Sequence, residues 1–259
     1  MLMELSRNFN SIELINFLKK DYANNLYFFS YINDQTLCVE PEADILVAKN
    51  NGHIVLAMLI SPSHCCISTL DSNFIDEVIT QLPPIESKHI LGSQDQTLRL
   101  LDGVNGPVRK IEFNSFCKLN HQLLLYPKNY RSTSLTTAEL PELVRFYQGN
   151  DMLVNCKTRL KSIVEFGTIY CVKDADKIVS CALTTTETDD IAMIGAVFTD
   201  ESQRNKGFAR DCSLNLCKRL QEKNKSVYLF HKADDIMLAN MYLKIGFDKI
   251  GTWVVATKK

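Results

Sequence analysis

A short basic segment between a predicted strand and a predicted helix carries the strongest chemical signal in the sequence. Residues 191–199 are mostly apolar and predict a strand, and apolar positions four apart predict a helix over residues 207–223. Between them lie Arg204, Lys206 and one glycine, Gly207. The first amides of a helix lack intrahelical acceptors and stand at the positive end of its dipole. Such a segment can bind a phosphate or pyrophosphate, although basic turns are also common on solvated surfaces.

Other catalytic and binding motifs are missing from the sequence. It contains no Gly-x-Gly-x-x-Gly, no Gly-x-x-x-x-Gly-Lys-Ser/Thr, no Gly-x-Ser-x-Gly and no His-Glu-x-x-His. The nine cysteines form no Cys-x-x-Cys pair, and the five histidines show no metal-ligand spacing. We therefore interpret the cysteines as reduced core residues and predict no metal site.

The C-terminal part of the chain reads as an alternation of strands and helices. The pattern predicts a helix near Ala138, strands at 169–173, 178–186, 191–199, 227–230 and 249–256, and helices at 207–223 and 235–245. Residues 227–230 are wholly apolar, which indicates a strand inside a sheet. Gly246 is expected to end the last helix.

The N-terminal part has a similar order. The sequence predicts a helix at 11–20, an apolar patch at 26–32, a hairpin at 45–60, a helix at 73–81, a strand at 89–92, a helix at 93–101 and an extended segment at 110–126. Asn51 and Gly52 suit the tight turn of the hairpin. The polar segment 127–132 is the predicted boundary, so we expect an N-terminal half (residues 1–126) and a C-terminal half (residues 127–259).

Three motifs in the C-terminal half resemble those of the GCN5-related N-acetyltransferases (GNATs). Residues 203–209 resemble the family's Gln/Arg-x-x-Gly-x-Gly/Ala signature, and a strand ending at Thr199 precedes them. Residues 240–247 are similar to the family's Tyr-x-Lys-x-Gly-Phe ending, with Tyr242 as its tyrosine. The matches span roughly residues 130–259, and the three motifs occur in the family's order and spacing.

The resemblance implies an α/β fold with a mixed sheet, and an N-acetyltransferase that uses acetyl-coenzyme A (acetyl-CoA) and no metal. Acetyl-CoA would bind between the strands ending near Thr199 and Phe230, and an amine would attack its thioester directly. Tyr242 would protonate the departing thiolate, because a tyrosine hydroxyl can donate a hydrogen bond to sulfur. The implied cofactor-binding residues are Val197, Phe198 and Thr199 on the strand, and Arg204, Asn205, Lys206, Gly207, Phe208 and Ala209 at the pyrophosphate.

The N-terminal half resembles a degenerate GNAT-like domain placed in tandem before a working one. Its predicted order of elements parallels that of the C-terminal half, but its nearest equivalent of the basic loop, residues 92–96, carries Asp95. A carboxylate at a helix N-terminus would repel a phosphate. We therefore expect one cofactor per chain, although a separate small-molecule-binding domain also fits this half.

Two features of the C-terminal half stay open. No general base is assigned: Glu187 and Asp189 could face the site, but acidic residues also collect in any solvated turn. Asp235 stands where the family often has asparagine, so a cofactor contact at this position is in doubt.

Composition limits the class of partner. The 29 basic and 30 acidic residues give a net charge of −1, which argues against nucleic acid. The longest apolar run, residues 54–60, is far shorter than the roughly 18 residues of a membrane helix. No secretory signal is evident, so we expect a cytoplasmic protein, monomer or homodimer, acting on a small-molecule or peptide amine. The alternatives are a non-catalytic module that senses acyl-CoA and, less in keeping with the charge, a transferase using aminoacyl-RNA.

Overall fold

A computed structural model describes residues 5–32, 43–104, 106–120, 131–149 and 157–258. Its helices are α1 (Ser11–Lys19), α2 (Leu26–Ile32), α3 (Asn73–Val78), α4 (Gln94–Gly103), α5 (Leu140–Gln148), α6 (Lys157–Phe166), α7 (Phe208–Glu222) and α8 (Ile236–Ile245). Its strands are β1 (Leu5–Ser6), β2 (Asp44–Asn50), β3 (His53–Ile60), β4 (His64–Thr69), β5 (His89–Ser93), β6 (Val108–Leu119), β7 (Thr133–Ser134), β8 (Ile169–Asp174), β9 (Lys177–Glu187), β10 (Ile191–Thr199), β11 (Ser226–Lys232) and β12 (Phe247–Lys258). The end of the predicted extended segment and most of the predicted boundary lie outside the described residues.

The two halves follow the same order of elements. The series β2, β3, β4, α3, β5, α4, β6 in the N-terminal half matches β8, β9, β10, α7, β11, α8, β12 in the C-terminal half. The parallel order predicted from the sequence is therefore confirmed. The predicted hairpin is also present: Asn51 and Gly52 adopt φ values of 49° and 81°, as a tight turn between twisted strands requires.

One sheet of twelve strands unites the described chain, in the order β1-β2-β3-β4-β5-β12-β6-β11-β10-β9-β8-β7. The last strand of the C-terminal half, β12, lies between β5 and β6 of the N-terminal half. In the same way β6 lies between β11 and β12. Each half therefore completes the sheet of the other, and the division at residues 126 and 127 separates the chain but not the sheet.

Helices cover the two faces of this sheet. Along β10, Ile191 and Met193 pack in a core cluster with α1 and α2, whereas Ala192 and Ile194 pack in a second cluster with α7 and α8. Because successive side chains of a strand point to opposite faces, the two helix pairs lie on opposite sides. Helices α1 and α2 of the N-terminal half thus cover one face of β10 and β11 in the C-terminal half.

Stacked aromatic rings occupy the centre of the sheet, where the halves meet. The Trp253 ring on β12 lies 5.1 Å from that of Phe116 on β6 and 5.9 Å from that of Phe230 on β11. The Phe116 ring is in turn 5.8 Å from the Tyr228 ring, and Tyr27 of α2 stacks on Trp253 at 5.9 Å. Trp253 is only 1% exposed, so its packing joins strands from both halves to a helix.

We predict that Trp253→Ala destabilises the whole molecule by about 3–5 kcal/mol, the usual cost of truncating a buried large aromatic residue. The measurement is urea denaturation followed by far-ultraviolet circular dichroism. Ile250→Ala is the matched control, because Ile250 lies on the same strand and is 49% exposed. Equal losses in the two variants would contradict the central role of the Trp253 ring.

Candidate active site

Strands β10 and β11 separate from each other halfway along their length. They pair in parallel from Ile191 with Ser226 to Ile194 with Leu229, and among the described residues no pair follows. In the rest of β10, Gly195, Phe198 and Thr199 stay paired with β9 on its other side. A cleft therefore opens between the carboxyl ends of two neighbouring parallel strands, a common place for ligands in α/β proteins.

A bulge in β10 produces this separation. The register with β9 shifts between Gly195 and Phe198, and Ala196 has a φ of 48° in the left-handed region. The Tyr147 hydroxyl of α5 donates a hydrogen bond of 2.7 Å to the Ala196 carbonyl. Burial raises the pKa of Tyr147 well above its ordinary value, so this hydroxyl stays protonated and keeps donating.

The free edge of β10 presents backbone groups to the cleft. The Asp200 amide donates to Val179 of β9 at 2.9 Å. Since backbone groups alternate in direction along a strand, the amide and carbonyl of Thr199 point the other way, towards the cleft. Val197 lies within the bulge and forms no strand pair. The structure thus places Val197 and Thr199, two of the implied cofactor-binding residues, at the edge of the cleft.

The connection between β10 and α7, residues 200–207, will be called the α7 loop. Asn205 and Gly207 adopt left-handed φ values of 63° and 82°, and Gly207 is the N-cap of α7. Among the described residues, no acceptor bonds the amides of residues 205–210. Unpaired amides at the positive end of a helix of 15 residues are groups that can bind an anion.

The two cations of the α7 loop, Arg204 and Lys206, bond neighbouring residues through their side chains. Arg204 donates through Nε to the Thr199 carbonyl at 3.3 Å, and its guanidinium lies 5.6 Å from the Phe198 ring. Lys206 donates through Nζ to Gln203 at 2.7 Å. The Arg204 side chain therefore lies at the mouth of the cleft, next to Thr199. The other groups of the α7 loop that could contact an anion are its backbone amides.

Tyr242 lies inside the core on α8, next to the end of β11. Its ring stacks 5.6 Å from the ring of His231, which lies two residues beyond the last pair between β10 and β11. Burial raises the pKa of the Tyr242 hydroxyl, which therefore carries its proton at neutral pH. His231 Nδ1 lies 2.9 Å from the Lys232 carbonyl, an oxygen that can only accept, so this nitrogen is the protonated one.

Comparisons with known proteins concern the fold that carries this cleft. Residues 175–255 match the model of the family described as FR47-like protein. An acetyltransferase from the GNAT family of Colwellia psychrerythraea superposes with a TM-score of 0.66 and 14% identity, over 99% of this chain and 100% of that one. A GCN5-related N-acetyltransferase-like protein from Streptococcus suis gives a TM-score of 0.63 and 14% identity, over 96% and 98%.

A third structure has two such units in one chain. A tandem GNAT protein from the clavulanic acid biosynthesis pathway superposes with a TM-score of 0.60 and 10% identity, over 98% of both chains. No curated protein matches the sequence significantly. The chain has the fold of the GNAT superfamily. The resemblance and the fold class predicted from the sequence are thereby confirmed.

The N-terminal half also has a diverging strand pair, and a side chain bonds the edge of its first strand. Strands β4 and β5 pair only at His64 with His89 and Cys65 with Ile90 among the described residues. Beyond these pairs, the Gln96 side chain of α4 donates to the Thr69 carbonyl at 2.7 Å. A side chain from the helix after the second strand of the pair therefore bonds the strand edge in this half, whereas in the C-terminal half the donor to the Thr199 carbonyl is Arg204 of the α7 loop.

The equivalent of the α7 loop in the N-terminal unit is the connection between β4 and α3, and not residues 92–96 as the sequence suggested. Residues 92–96 join β5 to α4 and so correspond to the start of α8. In the β4–α3 connection, Asp71 accepts from the Asn73 amide at 3.0 Å and its own amide donates to Thr69. The Asp71 carboxylate thus already bonds one amide that an anion would need, and the Thr69 hydroxyl bonds another.

Glu187 does not lie in the cleft, and the turn around it is not simply solvated. It pairs with Ala192, at the opposite end of β10 from Thr199, and is 6% exposed. Its carboxylate accepts from Lys223 at 3.1 Å and lies 3.2 Å from Lys225. Burial alone would raise the pKa of Glu187, but the two lysines outweigh burial and lower it. A paired carboxylate of lowered pKa is a poor general base.

Asp235 has a structural role at the start of α8. It is the N-cap of that helix, and its carboxylate accepts from the Leu238 amide at 2.9 Å. Aspartate and asparagine cap helices about equally well, and a negative charge is favourable at a helix N-terminus. The difference from the family pattern therefore needs no contact with a cofactor to explain it.

Three residues of the site were not singled out from the sequence: Tyr147, His231 and Arg131. Tyr147 reads as a core aromatic of an amphipathic helix, and nothing local shows that its hydroxyl reaches β10. Arg131 belongs to the polar segment predicted as a boundary, yet it contacts the α7 loop.

Among the described residues, no group of three or more His, Cys, Asp and Glu could hold a metal ion. None of the described helices is both long and apolar enough to cross a membrane.

The lowered pKa of Glu187 predicts a pH-dependent stability. Because the folded pKa is below the ordinary value of 4.5, this contribution is complete above that value and is lost as the pH falls through the folded pKa. Glu187→Gln should therefore cost about 1–3 kcal/mol at pH 7 and less on acidification. Glu222→Gln, in an exposed pair with Arg219, is the control and should cost less than about 1 kcal/mol. Urea denaturation at several pH values measures both, and a pH-independent cost of Glu187→Gln would refute the assignment.

Proposed function

We propose that this protein is an N-acetyltransferase that transfers the acetyl group of acetyl-CoA to an amine of a small molecule or peptide. The observation that carries the proposal is the pairing of an open strand edge with a set of unpaired helix amides at one end of the sheet. The first suits a pantetheine amide chain, which can bond a strand edge, and the second suits a pyrophosphate. The GNAT fold of the chain is consistent with both.

The residues present fit such a ligand. Gly207 has a positive φ, and a Cβ built there would come within 3.4 Å of Arg131, so its main constraint is conformation and not space. The amides of residues 205–210 would hold the pyrophosphate, Arg204 would add charge at the cleft mouth, and Val197 and Thr199 would bond the pantetheine arm. When bound, acetyl-CoA supplies an acetyl group activated as a thioester.

Tyr242 is the residue we propose as the acid. A tyrosine hydroxyl carries its proton at neutral pH, and burial raises the pKa of Tyr242 further. A protonated donor held on α8 beside the end of β11 can deliver that proton to a thiolate leaving the cleft. The neighbouring His231 ring fixes the tyrosine ring from one face. Neither Glu187 nor Asp235 is proposed in proton transfer, since each is engaged elsewhere.

The N-terminal half supplies one wall of the proposed acceptor site. Helices α1 and α2 cover the face of β10 and β11 opposite α7 and α8. A cavity of about 330 Å³ opens between Asp21 and Asn24 on one side and Phe116 and Thr252 on the other. One acidic residue of its lining, Asp21, suits the cationic part of an amine, and one aromatic residue, Phe116, suits the apolar part.

The cofactor assignment predicts the affinity for coenzyme A. Arg204→Ala should weaken binding roughly ten- to a hundredfold, the effect of a hydrogen bond to a charged group. Gly207→Val should weaken it more, because a β-branched residue resists the left-handed conformation that aims the amides. Calorimetric titration gives both affinities and the stoichiometry, which should be one per chain.

The control for Gly207→Val is Gly52→Val. Gly52 has nearly the same φ, 81°, and lies in the hairpin turn of the N-terminal half, where a Cβ would meet no other atom within 4 Å. Gly52→Val therefore imposes the same backbone strain as Gly207→Val, but far from the α7 loop. Unchanged affinity in both Arg204→Ala and Gly207→Val, or two molecules bound per chain, would be incompatible with the proposed site.

The role of Tyr242 is tested by Tyr242→Phe, which removes only the hydroxyl. Affinity for coenzyme A should hardly change, whereas turnover with an accepted amine should fall by about 10²–10⁴, the range for a positioned proton donor. Turnover is measured as the release of free thiol from acetyl-CoA in the presence of a panel of amines. Full turnover in the variant would assign Tyr242 to packing, and coenzyme A binding without turnover in the unaltered chain would support the alternative of a sensing module.

A further inference from the structure

Arg131 contacts the α7 loop and the first turns of α7 at three different groups. Its Nε donates to the Asp211 carboxylate at 2.9 Å, and its Nη2 donates to the Lys206 carbonyl at 2.7 Å. Its guanidinium also lies 4.5 Å from the centre of the Phe208 ring. One side chain thus joins the loop, the first residue of α7 and the first full turn of that helix.

The backbone around Arg131 is itself attached to α7. The Ser132 hydroxyl donates to the Asp211 carbonyl at 3.0 Å. The Asn215 side chain donates to the Ser132 carbonyl at 3.1 Å and to its hydroxyl at 2.8 Å. Arg131 therefore starts from a fixed point, so its guanidinium loses little freedom when it holds the loop.

The bond to Lys206 determines where an amide points. In a trans peptide the carbonyl and the following N–H point in opposite directions, and the structure contains no cis peptide among its described residues. Because Arg131 holds the Lys206 carbonyl, the Gly207 N–H faces away from Arg131. Gly207 alone could not fix the direction of this N–H, since glycine adopts either sign of φ readily.

We infer that Arg131 is a positioning residue for the α7 loop, which keeps the loop amides in the arrangement that binds the phosphates of the proposed acetyl-CoA site. Arg131 acts through the loop and not as a phosphate ligand. Two of its N–H groups are bonded to protein acceptors, its face covers Phe208, and Asp211 balances its charge. The identity of the anion rests on the proposed function. The role of Arg131 in ordering the loop does not depend on it.

The test compares Arg131→Met, Arg131→Lys and Asp211→Asn by titration with coenzyme A and with pantetheine, which lacks phosphates. If the loop adopts the binding arrangement about one time in ten without Arg131, Arg131→Met weakens coenzyme A about tenfold. Pantetheine affinity should not change, and Arg131→Lys should recover part of the loss. Arg219→Met is the matched control, because it removes an exposed ion pair at the other end of α7.

Asp211→Asn separates positioning from direct contact. If Arg131 acts through the loop, loss of its partner also weakens coenzyme A, and the double variant is no worse than Arg131→Met. If Arg131 were a phosphate ligand, removing the competing carboxylate would strengthen binding, which would overturn the inference. Equal losses for coenzyme A and pantetheine would overturn it too.

A measurement without ligand keeps the inference testable if the unaltered chain binds no coenzyme A, which would refute the proposed function alone. The Asp211 amide donates to the Gly207 carbonyl at 3.0 Å, the first hydrogen bond of α7. Its hydrogen exchange in the free protein should be about tenfold faster in Arg131→Met than in the unaltered chain or Arg219→Met. Unchanged exchange would show that Arg131 does not order the loop.

Discussion

The exchange of β6 and β12 is the constraint on which the rest of the molecule depends. The two strands pair with each other from Phe247 with Leu119 to Lys258 with Val108, and each also pairs with a shorter strand of the other half. Without β6, β11 would lose its partner along Tyr228–Lys232 and become an unpaired edge. One wall of the cleft in the C-terminal half therefore exists only because the N-terminal half supplies a strand. The same exchange brings α1 and α2 over β10 and β11, so the face opposite α7 and α8 belongs to both halves.

Around the cleft, the backbone is held in conformations that a free chain rarely adopts. Ala196, Asn205 and Gly207 all have positive φ values within one stretch of β10 and the α7 loop. Each non-glycine residue in that region costs on the order of 1 kcal/mol, so neighbouring contacts must hold it there. At the bulge the contact is the Tyr147 hydroxyl, and Phe146 packs against Phe198 beside it. At the loop it is Arg131. Both supports come from residues 131–149, which precede the segment matched by the family model. The segment that carries the motifs is thus shaped by one that carries none.

Much of the fold could be predicted from the sequence because local patterns determine it. Alternating apolar residues, the Asn51–Gly52 turn and Gly246 at the end of α8 each act over a few residues, and the structure has the expected elements at these places. The strand exchange could not be predicted, since β6 would read as the same apolar strand in either position. The correspondence of residues 92–96 was wrong for a similar reason: strand–turn–helix units occur twice in each half, and only the sheet order distinguishes them. Glu187 was misjudged because its lysine partners are more than 35 residues away along the chain.

The difference between the two clefts follows from a few side chains on a shared backbone plan. Both halves separate a parallel strand pair and place a helix after the first strand of that pair. In the N-terminal half the helix has 6 residues and begins beside Asp71, whereas α7 has 15 residues and begins at Gly207. A short helix has a weaker N-terminal field, and the Asp71 carboxylate both bonds the Asn73 amide and would repel an anion. Gln96 of α4 also donates to the Thr69 carbonyl at the strand edge, whereas the Thr199 carbonyl accepts from Arg204 of the α7 loop itself. The cleft of the C-terminal half still requires β6, α1 and α2. The N-terminal half must therefore keep its fold even if it binds no ligand.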